Sequence, residues 1–256
     1  MATPSRRDLL FAASTLPLLA SADLAHAATV TLASASGPSA ASAAAAASSG
    51  ATAATMAPAF DDRHAPLPLP FKPDALAGLS ERLVQSHWEN NYGGAVKALN
   101  VVRGRLRAAL QDADLPPYVY DGLKREQLLR TGSVVLHEHY FANLGGDGKP
   151  AADTRSRLAV SFGSYDTWET EFRRIALGLG GGSGWVVLGY NPQLRLLENY
   201  WMADHATAPV GTVPVLVLDM YEHAYQMDYG AGAAKYVDAF FANVQWDAVA
   251  QRLLRV

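Results

Sequence analysis

The sequence predicts an α+β fold: an N-terminal antiparallel helical hairpin, then a domain in which a three-stranded antiparallel sheet is flanked by helices. Two patterns carry this. Leu79, Leu83 and His87, and further on Val96, Leu99, Val102, Leu106 and Leu110, recur at helical spacing and lay an apolar stripe along one face. Beyond Gly182 the pattern changes to runs of strand length, Trp185 to Tyr190, Leu194 to Tyr200 and Val213 to Leu218. Helices first and strands afterwards is the order of an α+β chain rather than of alternating βαβ units.

Taken in order, Ser5-Arg6-Arg7-Asp8-Leu9-Leu10 is a twin-arginine pattern with an apolar segment to Ala20 and a small-residue cleavage site at Ala25-His26-Ala27. Ser14, Thr15 and Pro17 interrupt that segment, so it predicts an export signal over residues 1–27 and no stable membrane span. Residues 28–60 begin as an Ala/Ser/Thr/Gly tract without charge, which cannot repay its ordering entropy and reads as a disordered tether. Folded structure is expected from about Asp61, as a helical-hairpin domain over 61–146 and an α/β C-terminal domain over 147–256.

Pro66, Pro68, Pro70 and Pro73 predict an extended lead-in, and Asp74 or Ser80 can cap the first helix. Gly93-Gly94 is expected to weaken that helix, and Pro116-Pro117 to end it. A third helix is expected from about Leu123 to Leu144, closed by Gly145-Gly146. Residues 151–178 read as helical, with Phe162, Trp168, Phe172 and Ile175 as buried bulk, and two short helices, Lys235 to Val244 and Trp246 to Leu254, finish the chain.

The chemistry-bearing residues gather around the last strand. Val213 to Leu218 reads as a strand covered on both faces, and Asp219, Glu222 and His223 follow at its mouth. Buried charge there must find a partner, shift its pKa or coordinate a metal. Asp219 with His223 fits a metal site; a carboxylate capping the next segment beside a core histidine fits equally. His87 lies on the buried stripe of the first helix. His137 and His139 are two residues apart in the third helix, too close for the HExxH zinc pattern. Such a pair does not share a helical face, so at most one joins a given site, and His137, one turn from Val134 and Phe141, is on the buried side.

Composition narrows the function. With a net charge of −3 and no basic cluster, nucleic acid is a poor partner. With no cysteine, there are no disulfides, thiolate sites or cysteine nucleophiles, and any metal must sit on His, Asp or Glu. The Gly178-to-Gly182 stretch has no GK[ST] after it, and no GxSxG occurs, so a phosphate-binding loop and a serine hydrolase are set aside.

Several segments, in order, resemble the iron/manganese superoxide dismutases. These are LPFKPDALAGLSERLVQSHW (Leu69 to Trp88), AVKALN (Ala95 to Asn100), HEHYFANL (His137 to Leu144), SFGSYDTWETEF, GSGWVVLGYN, DMYEHAY (Asp219 to Tyr225) and NVQWDAVAQRL. The resemblance implies one iron or manganese ion per chain, held by His87, His137, Asp219 and His223. It implies disproportionation of superoxide to dioxygen and hydrogen peroxide. It also implies that His205 hydrogen-bonds solvent at the metal, that Trp185 and Tyr221 line the pocket, and that Glu222 reaches across a homodimer, with a tetramer as the alternative. An exported, periplasmic or extracellular enzyme follows from the signal.

The same resemblance exposes departures. The family's gateway tyrosine is Ala95 here, a histidine four residues earlier is Asn91, its partner across the interface is Gln226, and the signature tryptophan is Tyr221. Asn91 and Gln226 can hydrogen-bond each other, and Tyr92 can turn its hydroxyl toward the space at Ala95. The inner shell is intact while the outer proton relay is altered. The expectation is an active enzyme with altered proton delivery; the competing one is a metal-binding protein that keeps the fold without efficient turnover.

Overall fold

The structure, a computed structural model, describes residues 57–256. The expected export signal and the tether up to residue 56 lie outside the described residues. Within them, α1 (Glu81–Ser86) runs into a π-helical segment, His87–Tyr92, and on into α2 (Gly93–Ala109). The helix therefore passes through Gly93-Gly94 unbroken, and the irregularity falls one turn earlier. Ser80 is the cap, its Oγ accepting from the Leu83 N–H at 3.1 Å, whereas Asp74 sits in a separate 3-10 turn, Pro73–Ala75. The extended lead-in is tied along α2: Asn100 Oδ1 accepts from His64 N–H at 3.0 Å, and Asn100 Nδ2 donates to His64 O at 2.9 Å.

The return helix α3 spans Pro117–Ala142, beginning six residues before the expected Leu123. Pro117 occupies the first helical position, where its missing N–H costs nothing and its φ is already set. The helix also ends earlier than expected, and Leu144 leaves it to bridge Val244. α2 and α3 form the hairpin.

The stretch expected to be helical over 151–178 holds two helices, α4 (Ala152–Phe162) and α5 (Tyr165–Gly178). Gly163, at φ 82°, terminates the first, and Ser164 caps the second, its Oγ accepting from the Thr167 N–H at 2.9 Å. Strands β1 (Trp185–Asn191), β2 (Leu196–Met202) and β3 (Val213–Asp219) form the antiparallel sheet in the order β2-β1-β3. The β1–β2 turn is held by Asn191 Oδ1, which accepts from Gln193 N–H and Leu194 N–H. The central strand β1 is buried along most of its length, and Val215 to Asp219 of β3 are buried too. α3 packs against β3, and α5 against β1 and β2. A register shift between Leu188 and Gly189 accommodates Pro214, which has no N–H for the ladder. α6 (Gln226–Tyr229), α7 (Ala233–Ala242) and α8 (Trp246–Leu253) complete the chain.

Asn143, fully buried at the end of α3, ties the helical half to the sheet. Its Nδ2 donates to Val217 O at 2.9 Å, its carbonyl accepts from Gln245 N–H, and its Oδ1 accepts from Arg252. Replacing it with alanine strands Val217 O and takes away one of the two acceptors of Arg252 Nη1, which keeps Val215 O at 2.9 Å. Asn143→Ala is expected to lower unfolding free energy by about 3 kcal/mol in urea denaturation; a loss below about 1 kcal/mol would remove this role.

Candidate metal centre

Four elements of the chain converge at the C-terminal end of β3. His87 comes from the first residue of the π segment, His137 from α3, Asp219 from the end of β3, and His223 from a 3-10 turn, Glu222–Ala224. The turn closes through Ala224 N–H to Tyr221 O and Tyr225 N–H to Glu222 O, which brings His223 back over Asp219. One donor atom from each of the four residues lies within 4.8 Å of all the others. His87, His137 and Asp219 are essentially inaccessible to solvent, and His223 is partly exposed.

The geometry centres on one oxygen. Asp219 Oδ2 lies 3.1 Å from His87 Nε2, 3.1 Å from His223 Nε2 and 3.6 Å from His137 Nε2. Its other oxygen, Oδ1, accepts from Tyr221 N–H at 2.8 Å, and Tyr236 O–H donates to Asp219 O at 2.7 Å. His137 Nδ1 lies 2.7 Å from Ser133 O, so Nδ1 carries the proton and Nε2 the lone pair. That Nε2 is buried with no hydrogen-bond partner. A buried lone pair facing other lone pairs and a carboxylate is uncompensated unless a cation sits among them. The donor set thus fits a metal ion of the kind that takes imidazole and carboxylate ligands.

Electrostatics agree. Burial lowers the His87 pKa against the pull of Asp219, and burial with the His87 ring pushes His137 down to about 3. Burial alone would raise the Asp219 carboxyl, but the contacts with His223 and His87 outweigh it and hold the group below the usual carboxylate range. Neutral imidazoles and an ionised carboxylate are the ligating forms.

Around this core, Trp185 is fully buried and its Nε1–H donates to His205 Nδ1 at 3.0 Å. In neutral His205 the proton is then on Nε2. The His205 ring lies flat on Tyr221 at 4.7 Å between centroids, and Tyr221 stacks in turn on His223 at 5.3 Å. Burial pushes the Tyr221 hydroxyl up to about 12. Glu222 and Gln226 are exposed and Asn91 is half-buried, and no hydrogen bond joins Asn91 to Gln226 among the described residues. His139 is only half-buried and stands outside the cluster, as helical periodicity predicts.

Two features escape sequence reasoning. Gly132 on α3 abuts the His205 backbone so closely that a Cβ there would sit 1.8 Å from His205 O. Tyr92 is buried with its ring on His137, centroids 6.2 Å apart; its hydroxyl donates to Glu138 Oε1 at 2.9 Å and accepts from Leu67 N–H at 2.7 Å. The expected turn of that hydroxyl toward Ala95 is not taken, because both its hydrogen-bonding roles are filled elsewhere.

Known proteins are similar to this chain over most of its length. A family model described as iron/manganese superoxide dismutases, C-terminal domain, matches residues 150–252. Superoxide dismutase (Fe) of Cupriavidus metallidurans is 50% identical over 185 residues, covering 72% of this chain and 93% of that protein. Superoxide dismutase (Fe) of Aquifex aeolicus is 34% identical over 188 residues, covering 71% and 87%. Superoxide dismutase (Mn) 2 of Halobacterium salinarum is 32% identical over 186 residues, covering 71% and 90%. The chain belongs to the iron/manganese superoxide dismutase family. The α+β architecture expected of this superoxide dismutase family is the one described above.

Two expectations follow from the site. Gly132→Ala forces the His205 loop off α3, so turnover should fall at least about tenfold while metal is retained, since the outer partners of a metal typically matter on that scale. Unchanged turnover per bound metal would show that the loop relaxes without moving His205. The second concerns pH. His137 is depressed to about 3 and His139, by burial and the nearby Arg252, to about 4. Below about pH 6.5 the unfolded chain protonates these rings while the folded chain does not. Stability is therefore complete above that pH and is lost as pH falls toward 4. In metal-free protein, each ring should remove roughly 1 kcal/mol per pH unit between about pH 6 and pH 4. A flat stability profile across that window would contradict the buried neutral state.

Proposed function

We propose that this chain is a superoxide dismutase that converts two superoxide ions and two protons to dioxygen and hydrogen peroxide. One iron or manganese ion per chain is held by His87, His137, Asp219 and His223. The observation that carries the reading is the convergence of four donor atoms within 4.8 Å, with His137 Nε2 orphaned among them, in a chain of this family. When bound, the metal supplies the one-electron couple that removes an electron from one superoxide and delivers it to the next.

The chain's own residues supply position and protons. Ser133 O and Tyr221 N–H fix His137 and Asp219 in their ligating orientations. Trp185 holds His205 so that the proton on Nε2 is available to solvent or peroxide oxygen at the site. Tyr221, stacked between His205 and His223, excludes water from one side and keeps its own proton at neutral pH. Half-exposed His205 and His223 mark the side by which a small anion enters.

The assembly and location belong to the same proposal. Exposed Glu222 beside His223 suits a homodimer in which it accepts a hydrogen bond from the partner's ligand histidine, and Asn91 and Gln226 suit a polar pair across the same interface. The twin-arginine pattern supports export to the periplasm or beyond. No helix among the described residues is long and apolar enough to cross a membrane. A metal-binding protein with little turnover is the second reading, favoured by buried Ala95 where the family's gateway tyrosine would stand.

Metal analysis with turnover per bound metal tests both. About one iron or manganese per chain with fast dismutation is expected, and Asp219→Asn or His137→Gln should abolish both metal and activity. Full metal with negligible turnover would select the second reading. No metal after reconstitution would sink the site.

A further inference from the structure

Tyr92 stands outside every role described so far. It is 1% exposed, yet its polar end is carried through the core to a carboxylate. Four contacts make a closed loop. The Tyr92 ring faces the His137 ring at 29° between planes and 6.2 Å between centroids. The Tyr92 O–H donates to Glu138 Oε1 at 2.9 Å, and Glu138 is joined to His137 by a peptide bond. Leu67 N–H donates to the same hydroxyl at 2.7 Å, and His64 Nε2 lies 2.7 Å from the same Glu138 oxygen. His64 and Leu67 belong to the lead-in that Asn100 pins to α2.

We propose that Tyr92 is a positioning residue for His137, with Glu138 and the lead-in fixing its hydroxyl so that its ring sets the plane of the second metal ligand. A phenylalanine would fill the same volume without burying a hydroxyl, so packing alone gives no reason for the polar anchor. Ser133 O holds Nδ1, Trp185 meets the ring edge-on at 5.0 Å, and Phe141 and His223 lie near-parallel to it at 6.4 and 5.8 Å; among these neighbours Tyr92 is the one whose polar end is tied to Glu138, beside His137. Rotation of an imidazole about its ligating nitrogen alters the ligand field and the ease of metal loss, which is how outer partners tune a site.

This inference rests on the metal-centre reading, and the experiment separates the two. Iron-loaded wild-type protein is compared with Tyr92→Leu, Tyr92→Phe, Glu138→Ala and Glu138→Gln. Each is read by ferric electron paramagnetic resonance, by the rate of iron loss to a chelator and by thermal melting. Wild-type protein that binds neither iron nor manganese would refute the metal centre itself. Given a loaded wild type, Tyr92→Leu should change the rhombicity of the ferric signal and speed iron loss about tenfold. Tyr92→Phe and Glu138→Ala should shift both readouts the same way by a smaller, matching amount. Glu138→Gln, which keeps an acceptor oxygen, should restore the wild-type signal. If Tyr92→Phe and Glu138→Ala melt as folded proteins with a native ferric signal and native iron loss, the brace is overturned. Those two variants decide the matter even if Tyr92→Leu does not fold.

Discussion

Three imidazole nitrogens converge on one carboxylate oxygen, Asp219 Oδ2, and much of the fold serves to hold them there. The arrangement is unfavourable in isolation. It removes an ionised carboxylate and three polar rings from water, and it points lone pairs at one another. Asp219 and His137 are therefore held from outside the cluster. Tyr221 N–H takes the second oxygen of Asp219, Tyr236 takes its backbone carbonyl, and Ser133 O takes the far nitrogen of His137. These restraints come from a turn, a C-terminal helix and the hairpin, so the site depends on tertiary packing that no single element provides.

The sheet contributes through its register. Trp185, the first residue of β1, pairs with Asp219, the last of β3. One alignment thus fixes the depth of the carboxylate and the place of the indole that orients His205. A slip of one residue would send Trp185 and Asp219 to the opposite faces. Gly132 completes the arrangement from the other side, because only an absent side chain lets the His205 backbone lie against α3. His205 is held between a strand and a helix that have no local relation in sequence.

That dependence explains what was legible in the sequence. His87 could be placed on a buried stripe, and His137 preferred to His139, because helical periodicity is a local signal that survives tertiary packing. Asp219 and His223 were marked by charge at the mouth of an apolar strand, again a local contrast. The sheet, the helical half and the closing helices were legible for the same reason. The division at Gly163 was missed because apolar spacing on either side of the break stays compatible with one helix, and only the positive φ reveals it. The early start of α3 was missed because Pro117 serves equally well as a stop and as a first helical residue. Glu138 and His64 gave no signal, and Tyr92 only one toward Ala95 rather than toward its actual partners: 46 and 74 residues separate the pairs that meet at the Glu138 carboxylate.

The π segment links these points. In a continuous α-helix Asn91, four residues after His87, would share its face, and Tyr92 would turn away. Closure from i to i+5 widens the turn and hands the inner position to the fifth residue. The burial follows that shift: Tyr92 is 1% exposed while Asn91 is left half-buried. The same widening therefore brings a tyrosine onto His137 and leaves an amide at the rim, where the proposed partner chain would present Gln226. Ala95, on the α2 side of the widened turn, is buried as well. Its small side chain is tolerable because the aromatic bulk near the second ligand enters three residues earlier.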